Sequence, residues 1–416
     1  MSKSFELARE IYGAVGVDVE AALARLQKSV LSLHAWQGDD VKGFEDTIGA
    51  LTGGCQVTGN YPGCARNSEE LRKDLDFAMT LIPCRNLKVC LQGHEIDSMK
   101  PGQDRDSWTV ENFAGWMDWA VANHIGMEIA PAFYSHPKLD HGLSLSHESE
   151  DIRKFWIRHA QACRRVSAEF ARRTGVTAVC NEWAPDGYKD SPADRRAPRE
   201  RLQASLDEIF SEKFAENEVL DAVESKLFGI GVESYTVGSH DFYLSYAARN
   251  NKLICLDTGH FHPTENIADK ISAITAQGGR ILLHVSRGVR WDSDHVILLD
   301  DPLMDLAREC VRNDNGKNIF YTLDYFDASI NRVAAWVIGA RNWFKATLIA
   351  LLEPSKTMCE AEACGDFTLR MAEKEAVKSL PWGAVWNEWL ERNGMPSDAE
   401  VIVPIREYEK AVLLNR

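Results

Sequence analysis

Four short runs decide the fold: Val219-Leu-Asp-Ala-Val-Glu224, Leu253-Ile-Cys-Leu-Asp257, Ile281-Leu-Leu-His-Val285 and Ile319-Phe-Tyr-Thr-Leu-Asp324. Each is apolar or β-branched over five or six residues, the length of a buried strand. Between them lie longer stretches such as Leu299–Asn313, with apolar residues three or four apart, the spacing of a helix with one buried face. Strand and helix in alternation read as βα units of a parallel sheet. The same pattern runs back through Thr177–Cys180, Gly126–Ala132, Leu87–Leu91 and Val30–Ala35, with helical stretches at Asp106–Ala122, Glu150–Arg173 and Arg199–Lys213. Eight such units predict an α/β fold of the (β/α)₈ TIM-barrel type.

The C-terminal part exceeds what closing a barrel requires. Ala328–Glu353 reads as an apolar-rich helix stopped by Pro354, and Phe367–Arg416 as largely helical with turns at Pro381 and Gly394-Met-Pro396. Residues 1–327 are therefore read as the barrel with an N-terminal amphipathic helix, and 328–416 as the last barrel helix with additional C-terminal helices. Surplus helices of this kind pack on another subunit or clamp the outside of the barrel. The Gly-rich segment Trp36–Asn67 reads as a loop at the mouth of the first strand.

Composition excludes several classes. Over 416 residues the formal charge is −15, which repels phosphate backbones and anionic membrane surfaces, so no nucleic acid and no membrane is expected as a partner. No apolar run approaches the ~20 residues that span a bilayer. The ten cysteines include no Cys-x-x-Cys pair, so reduced thiols in the cytoplasm are the expectation.

The last four strands each end on a side chain able to ligate a metal: Glu224, Asp257, His284 and Asp324. Strand C-termini are where barrel enzymes build their sites, and hard oxygen donors suit Mg²⁺ or Mn²⁺. His260, three residues past Asp257, and the pair Asp292-Ser-Asp294 lie just outside that shell, and Asp257 is placed to bridge two ions. Lys226 is two residues past Glu224, so an extended chain points both to one face, with the ammonium free to donate to a substrate oxygen. A lone aspartate at a strand end is more often a helix cap; four consecutive strands shift that balance. His262 reads equally as an orienter of His260 or as a cap before Pro263. Trp36 and Trp183 follow strands 1 and 4 and read either as apolar walls for a sugar or as core.

These residues lie in longer strings: Leu33-His-Ala-Trp-Gln-Gly-Asp-Asp40, Gly59-Asn-Tyr-Pro-Gly63, Phe133-Tyr-Ser-His-Pro137, Asp221-Ala-Val-Glu-Ser-Lys-Leu-Phe-Gly-Ile-Gly231, Asp257-Thr-Gly-His-Phe-His-Pro-Thr-Glu265 and Val289-Arg-Trp-Asp-Ser-Asp-His295. In them the chain resembles the L-rhamnose isomerase family, relatives of the xylose isomerases, over almost its whole length. The resemblance implies a cytoplasmic homotetramer that interconverts L-rhamnose and L-rhamnulose with two divalent ions per subunit, Mn²⁺ typical and Mn²⁺, Zn²⁺, Co²⁺ or Mg²⁺ at the second. It implies an inner ion on Glu224, Asp257, His284 and Asp324, and an outer ion on His260, Asp292 and Asp294 with Asp257 shared. Cys90 stands where the resemblance leads one to expect a histidine beside the sugar, with His94 as a possible substitute. Glu182 and Ala184 flank Trp183 where the family is more apolar.

The expected mechanism is a metal-assisted hydride shift between C1 and C2, with water on the outer ion as proton shuttle. Lys226, His260 and Asp324 are the expected catalytic residues, and Trp36, Trp183, Cys90 and His94 the expected sugar contacts. Asp324 is the nearest candidate base for a rival enediol route, but ligation lowers its basicity. The alternatives are an isomerase of the same fold acting mainly on another aldose, a metal-dependent phosphodiesterase or endonuclease, which the net charge of −15 and the absence of a basic cluster near the ligands disfavour, and a sugar-binding or metal-binding protein that has lost turnover.

Overall fold

The computed structural model of the chain describes residues 2–46, 49 and 51–416. All eight expected strands are present, as β1 (Val30–His34), β2 (Asn86–Gln92), β3 (Gly126–Ala130), β4 (Ala178–Trp183), β5 (Val219–Glu224), β6 (Leu253–Asp257), β7 (Ile281–Val285) and β8 (Ile319–Leu323). They form one parallel sheet in the order β3-β2-β1-β8-β7-β6-β5-β4, a nearly closed (β/α)₈ barrel. At the seam between β3 and β4, the backbone N–H of Val179 donates to Oε1 of Glu128 at 3.3 Å, and that carboxylate is paired with Lys88 inside the barrel. A side chain thereby bridges the edge that the ladder leaves open.

The strands are buried on both faces over most of their length, as expected when helices cover the outside of a parallel sheet. Side chains alternate between the two faces. Val179, Leu220, Ala222, Leu253, Cys255 and Leu282 fill the lower barrel as one apolar cluster. Two residues further along each strand, the same inward rows reach Asn181, Glu224, Asp257 and His284. The period-2 pattern thus puts an apolar plug below and a polar layer at the C-terminal mouth.

The helix Arg332–Leu351 packs on the outside of the barrel; its cap is Asn331, whose side chain accepts from the N–H of Ala334. Pro354 does end this run, yet a further helix, Ser355–Ala363, begins directly after it. Proline at a helix start loses nothing, because its missing N–H would have no partner there. Phe367–Ala376, Trp382–Arg392 and Ile402–Ala411 complete the C-terminal part, as the sequence leads one to expect. The segment 36–67 is irregular apart from a helical turn at Trp36–Asp39; Met1, Thr47, Ile48 and Ala50 lie outside the described residues. Among the described residues, no helix is long and apolar enough to cross a membrane.

Candidate active site

The polar layer at the barrel mouth resolves into two groups of converging ligand atoms. One atom each from Glu224, Asp257, His284 and Asp324 lies within 4.8 Å of the others, and Asp257 joins His260 and Asp292 in a second group of the same span. Sheet register explains the first: Asp257 pairs with His284 across β6 and β7, and His284 with Thr322, two residues before Asp324, across β7 and β8. Asp294 lines the same cavity with a positive φ of 47°, outside the second group.

The donor set fits cations. Nδ1 of His284 is 2.8 Å from Oδ2 of Asp324, and Nδ1 of His260 is 3.0 Å from Oε1 of Glu224. Neither contact has the angles of a hydrogen bond, and both nitrogens, like Oδ1 of Asp292, are buried without a hydrogen-bond partner among the described residues. Lone pairs that converge without pairing are arranged for a positive charge between them. Burial opposes charge throughout the site. It drives the carboxyls of Asp257 and Asp294 well above their usual range, with neighbouring carboxylates adding to the shift. Burial alone would lower His260 and His284, but the carboxylates around them, Asp257 and Asp292 for the first and Glu224 and Asp324 for the second, hold both well above the usual histidine range. Glu224 and Asp292 go down despite burial, held by His284 and by Lys226 respectively, with His260 beside both.

The remaining oxygens are tied by donors. Oδ1 of Asp257 accepts from the N–H of Gly259 at 2.6 Å, and Oδ1 of Asp324 from the indole N–H of Trp36 at 3.0 Å. Oδ2 of Asp292 accepts from the Lys226 ammonium at 2.8 Å, and Oε2 of Glu224 from the amide of Asn181. Most of these carboxylates therefore keep one oxygen on a protein donor and the other toward the imidazoles.

Several expected residues take somewhat different positions. Lys226 lines the cavity, but its ammonium is already paired with Asp292 and lies 5.3 Å over the ring of Trp183. Trp183 stacks on His260, ring centroids 5.7 Å apart and 11° from parallel. Trp36 is wall and donor at once. Cys90 and His94, expected beside the sugar, stand behind the cavity wall: Cys90 is in an apolar cluster with Trp36, Cys55, Ala130 and Tyr134, and Nδ1 of His94 meets Arg105 at 3.2 Å. His262 is exposed and bonded to Thr264, hence a turn residue. Tyr134, Phe326, Cys55, Gln92 and Asn181 line the cavity without having been singled out.

A model of the L-rhamnose isomerase family, RhaA, matches residues 1–416, the whole chain. The chain belongs to the L-rhamnose isomerase family. L-rhamnose isomerases of Escherichia coli strain SE11 and of Escherichia fergusonii are each 52% identical over 416 residues, 100% of this chain and 99% of theirs. Among solved structures, a D-allulose 3-epimerase from Methylomonas sp. is similar at 11% identity and a TM-score of 0.42, over 77% of this chain and 93% of its own. L-rhamnose isomerases are aldose–ketose isomerases, and the two ligand groups at the barrel mouth are candidate metal sites.

Proposed function

We propose that the chain interconverts L-rhamnose and L-rhamnulose with two divalent cations at the barrel mouth. The inner is held by Glu224, Asp257, His284 and Asp324, and the outer by His260, Asp292 and Asp294 with Asp257 shared. The observation that carries this reading is the pair of ligand groups meeting at Asp257. Charge supports the number: the five carboxylates and the ammonium of Lys226 leave four negative charges, those that two divalent ions offset. Oxygen and imidazole donors suit Mn²⁺ at the inner position. Such ions supply the Lewis acidity that polarises the carbonyl of an open-chain sugar.

The protein's own groups do the rest. Trp183, Trp36, Tyr134 and Phe326 give the cavity an aromatic wall against which the apolar face of a sugar can lie. Lys226 uses one N–H on Asp292 and has two more for a sugar oxygen. Glu224 and Asp324 each have one oxygen on a protein donor and the other beside an imidazole, and Asp292 is held by Lys226, so these three carboxylates are engaged before a sugar enters. That engagement supports a route in which the hydrogen passes between C1 and C2 as hydride rather than through a protein base. Ten cysteines without a disulfide fit the cytoplasm, and Phe367, Leu369 and Met371, exposed on a helix with no buried residue, fit a subunit contact in a homotetramer.

A panel of L-rhamnose, L-mannose, L-lyxose, D-allose and D-xylose, offered to protein treated with EDTA and resupplied with Mn²⁺, tests the assignment. L-rhamnose should have the highest kcat/KM. A higher value for another aldose would move the protein to that substrate.

A further inference from the structure

Asn181 lies in the inward row of β4 between Val179, in the apolar plug, and Trp183, on the cavity wall, and is 3% exposed. Its Nδ2 donates to Oε2 of Glu224. A ligand carboxylate only accepts, so the amide cannot be turned round without setting oxygen against oxygen. The orientation of Asn181 is thereby settled by its neighbour. Its Oδ1 is buried, has no partner among the described residues, and belongs to a residue that lines the cavity. A buried carbonyl oxygen is costly to leave unpaired, so a donor supplied by the occupant of the cavity would relieve that cost.

We propose that Asn181 is a specificity-determining residue, its amide nitrogen committed to Glu224 and its carbonyl oxygen presented to the cavity as the acceptor for one hydroxyl of the bound sugar. The same side chain positions a ligand carboxylate and reads the substrate. This rests on the isomerase reading above, since it takes the occupant to be a polyhydroxylated sugar. The hydroxyl concerned lies away from the reacting carbons, at C3, C4 or C5, because O1 and O2 belong to the reaction itself.

The test compares wild-type protein with Asn181→Leu, which keeps the branched shape and removes both polar atoms, at saturating Mn²⁺. Affinities for L-rhamnose and its 3-, 4- and 5-deoxy analogues are measured by titration calorimetry, which needs no turnover, and kcat and KM alongside. Wild type should bind one analogue about three- to tenfold more weakly than L-rhamnose, the worth of one hydrogen bond. In Asn181→Leu that difference should fall below about twofold while differences for the other analogues persist. Titration with Mn²⁺ alone should show weaker ion binding, because Glu224 has lost its donor. If the leucine variant does not fold, Asn181→Ala serves for the same comparison. Discrimination that survives in a folded variant, or its absence from wild type for all three analogues, overturns the proposal. Sugar binding without ketose formation would instead overturn the isomerase reading and leave this comparison readable.

Discussion

The indole of Trp36 gives the sharpest prediction, because two roles for it diverge in what they predict. Its N–H donates to Oδ1 of Asp324 at 3.0 Å, and the ring is 2% exposed. Trp36→Phe keeps an aromatic wall and deletes the donor. A hydrogen bond to a charged acceptor contributes about 1.5–3 kcal/mol, and Asp324 keeps some solvent contact, so the lower end applies. Loss of a group that orients a metal ligand typically costs about tenfold to a hundredfold in ion affinity. Trp36→Phe should therefore bind the inner Mn²⁺ about tenfold more weakly, and at a fixed ion concentration lose about 1.4 kcal/mol of ion-dependent stabilisation. Free Mn²⁺ measured by electron paramagnetic resonance during titration of chelated protein gives the affinity. Were Trp36 only a wall, ion affinity would stay within twofold of wild type and KM for L-rhamnose alone would rise. That result would refute the role given to the N–H.

Three further outcomes follow from the same geometry. Glu224→Gln should lose more of the Mn²⁺-induced rise in melting temperature than Asp292→Asn, because it strips the inner group of an anion that faces both imidazoles; equal losses in paired melts would contradict this. His159 donates from Nδ1 to the carbonyl of Arg105 and accepts at Nε2 from the N–H of Ala132, so burial and nearby Arg105 push its pKa down to about 3. Its stabilisation is complete above the unfolded value of 6.5 and fades as pH falls from there towards 3, so the stability gap between wild type and His159→Gln should narrow from pH 7 to pH 4 in denaturant titrations. Cys90→His must fit a ring into a cluster where the thiol is 4% exposed, and should cost about 1–3 kcal/mol of stability; unchanged stability with a lower KM for L-rhamnose would mean that the cavity extends from Gln92 to Cys90.

The fold was legible because a parallel barrel writes itself as continuous apolar runs, and all eight were found. The metal side of the site was legible for a related reason: the ligands close four successive strands, and inward alternation carries each from the plug below it to the mouth. What escaped depends on polar residues that extend a strand. Thr177–Cys180 stops short of β4, because Asn181 and Glu182 are poor strand formers, yet β4 runs on to Trp183. Reading the inward row two residues beyond Val179 would have found Asn181. The bond from Trp36 to Asp324 joins positions 288 residues apart, and no local pattern announces it. His94 was placed near the sugar by its neighbourhood in sequence, whereas Arg105 draws its imidazole behind the cavity wall.

Conversion of L-rhamnose in D₂O, followed by NMR before and after Mn²⁺ is added to chelated protein, tests the central claim most directly. The account predicts no ketose before the ion is added. Afterwards it predicts L-rhamnulose carrying almost no deuterium at C1, since the migrating hydrogen never leaves the sugar. Ketose formation by the chelated protein, or extensive deuterium at C1, would contradict it.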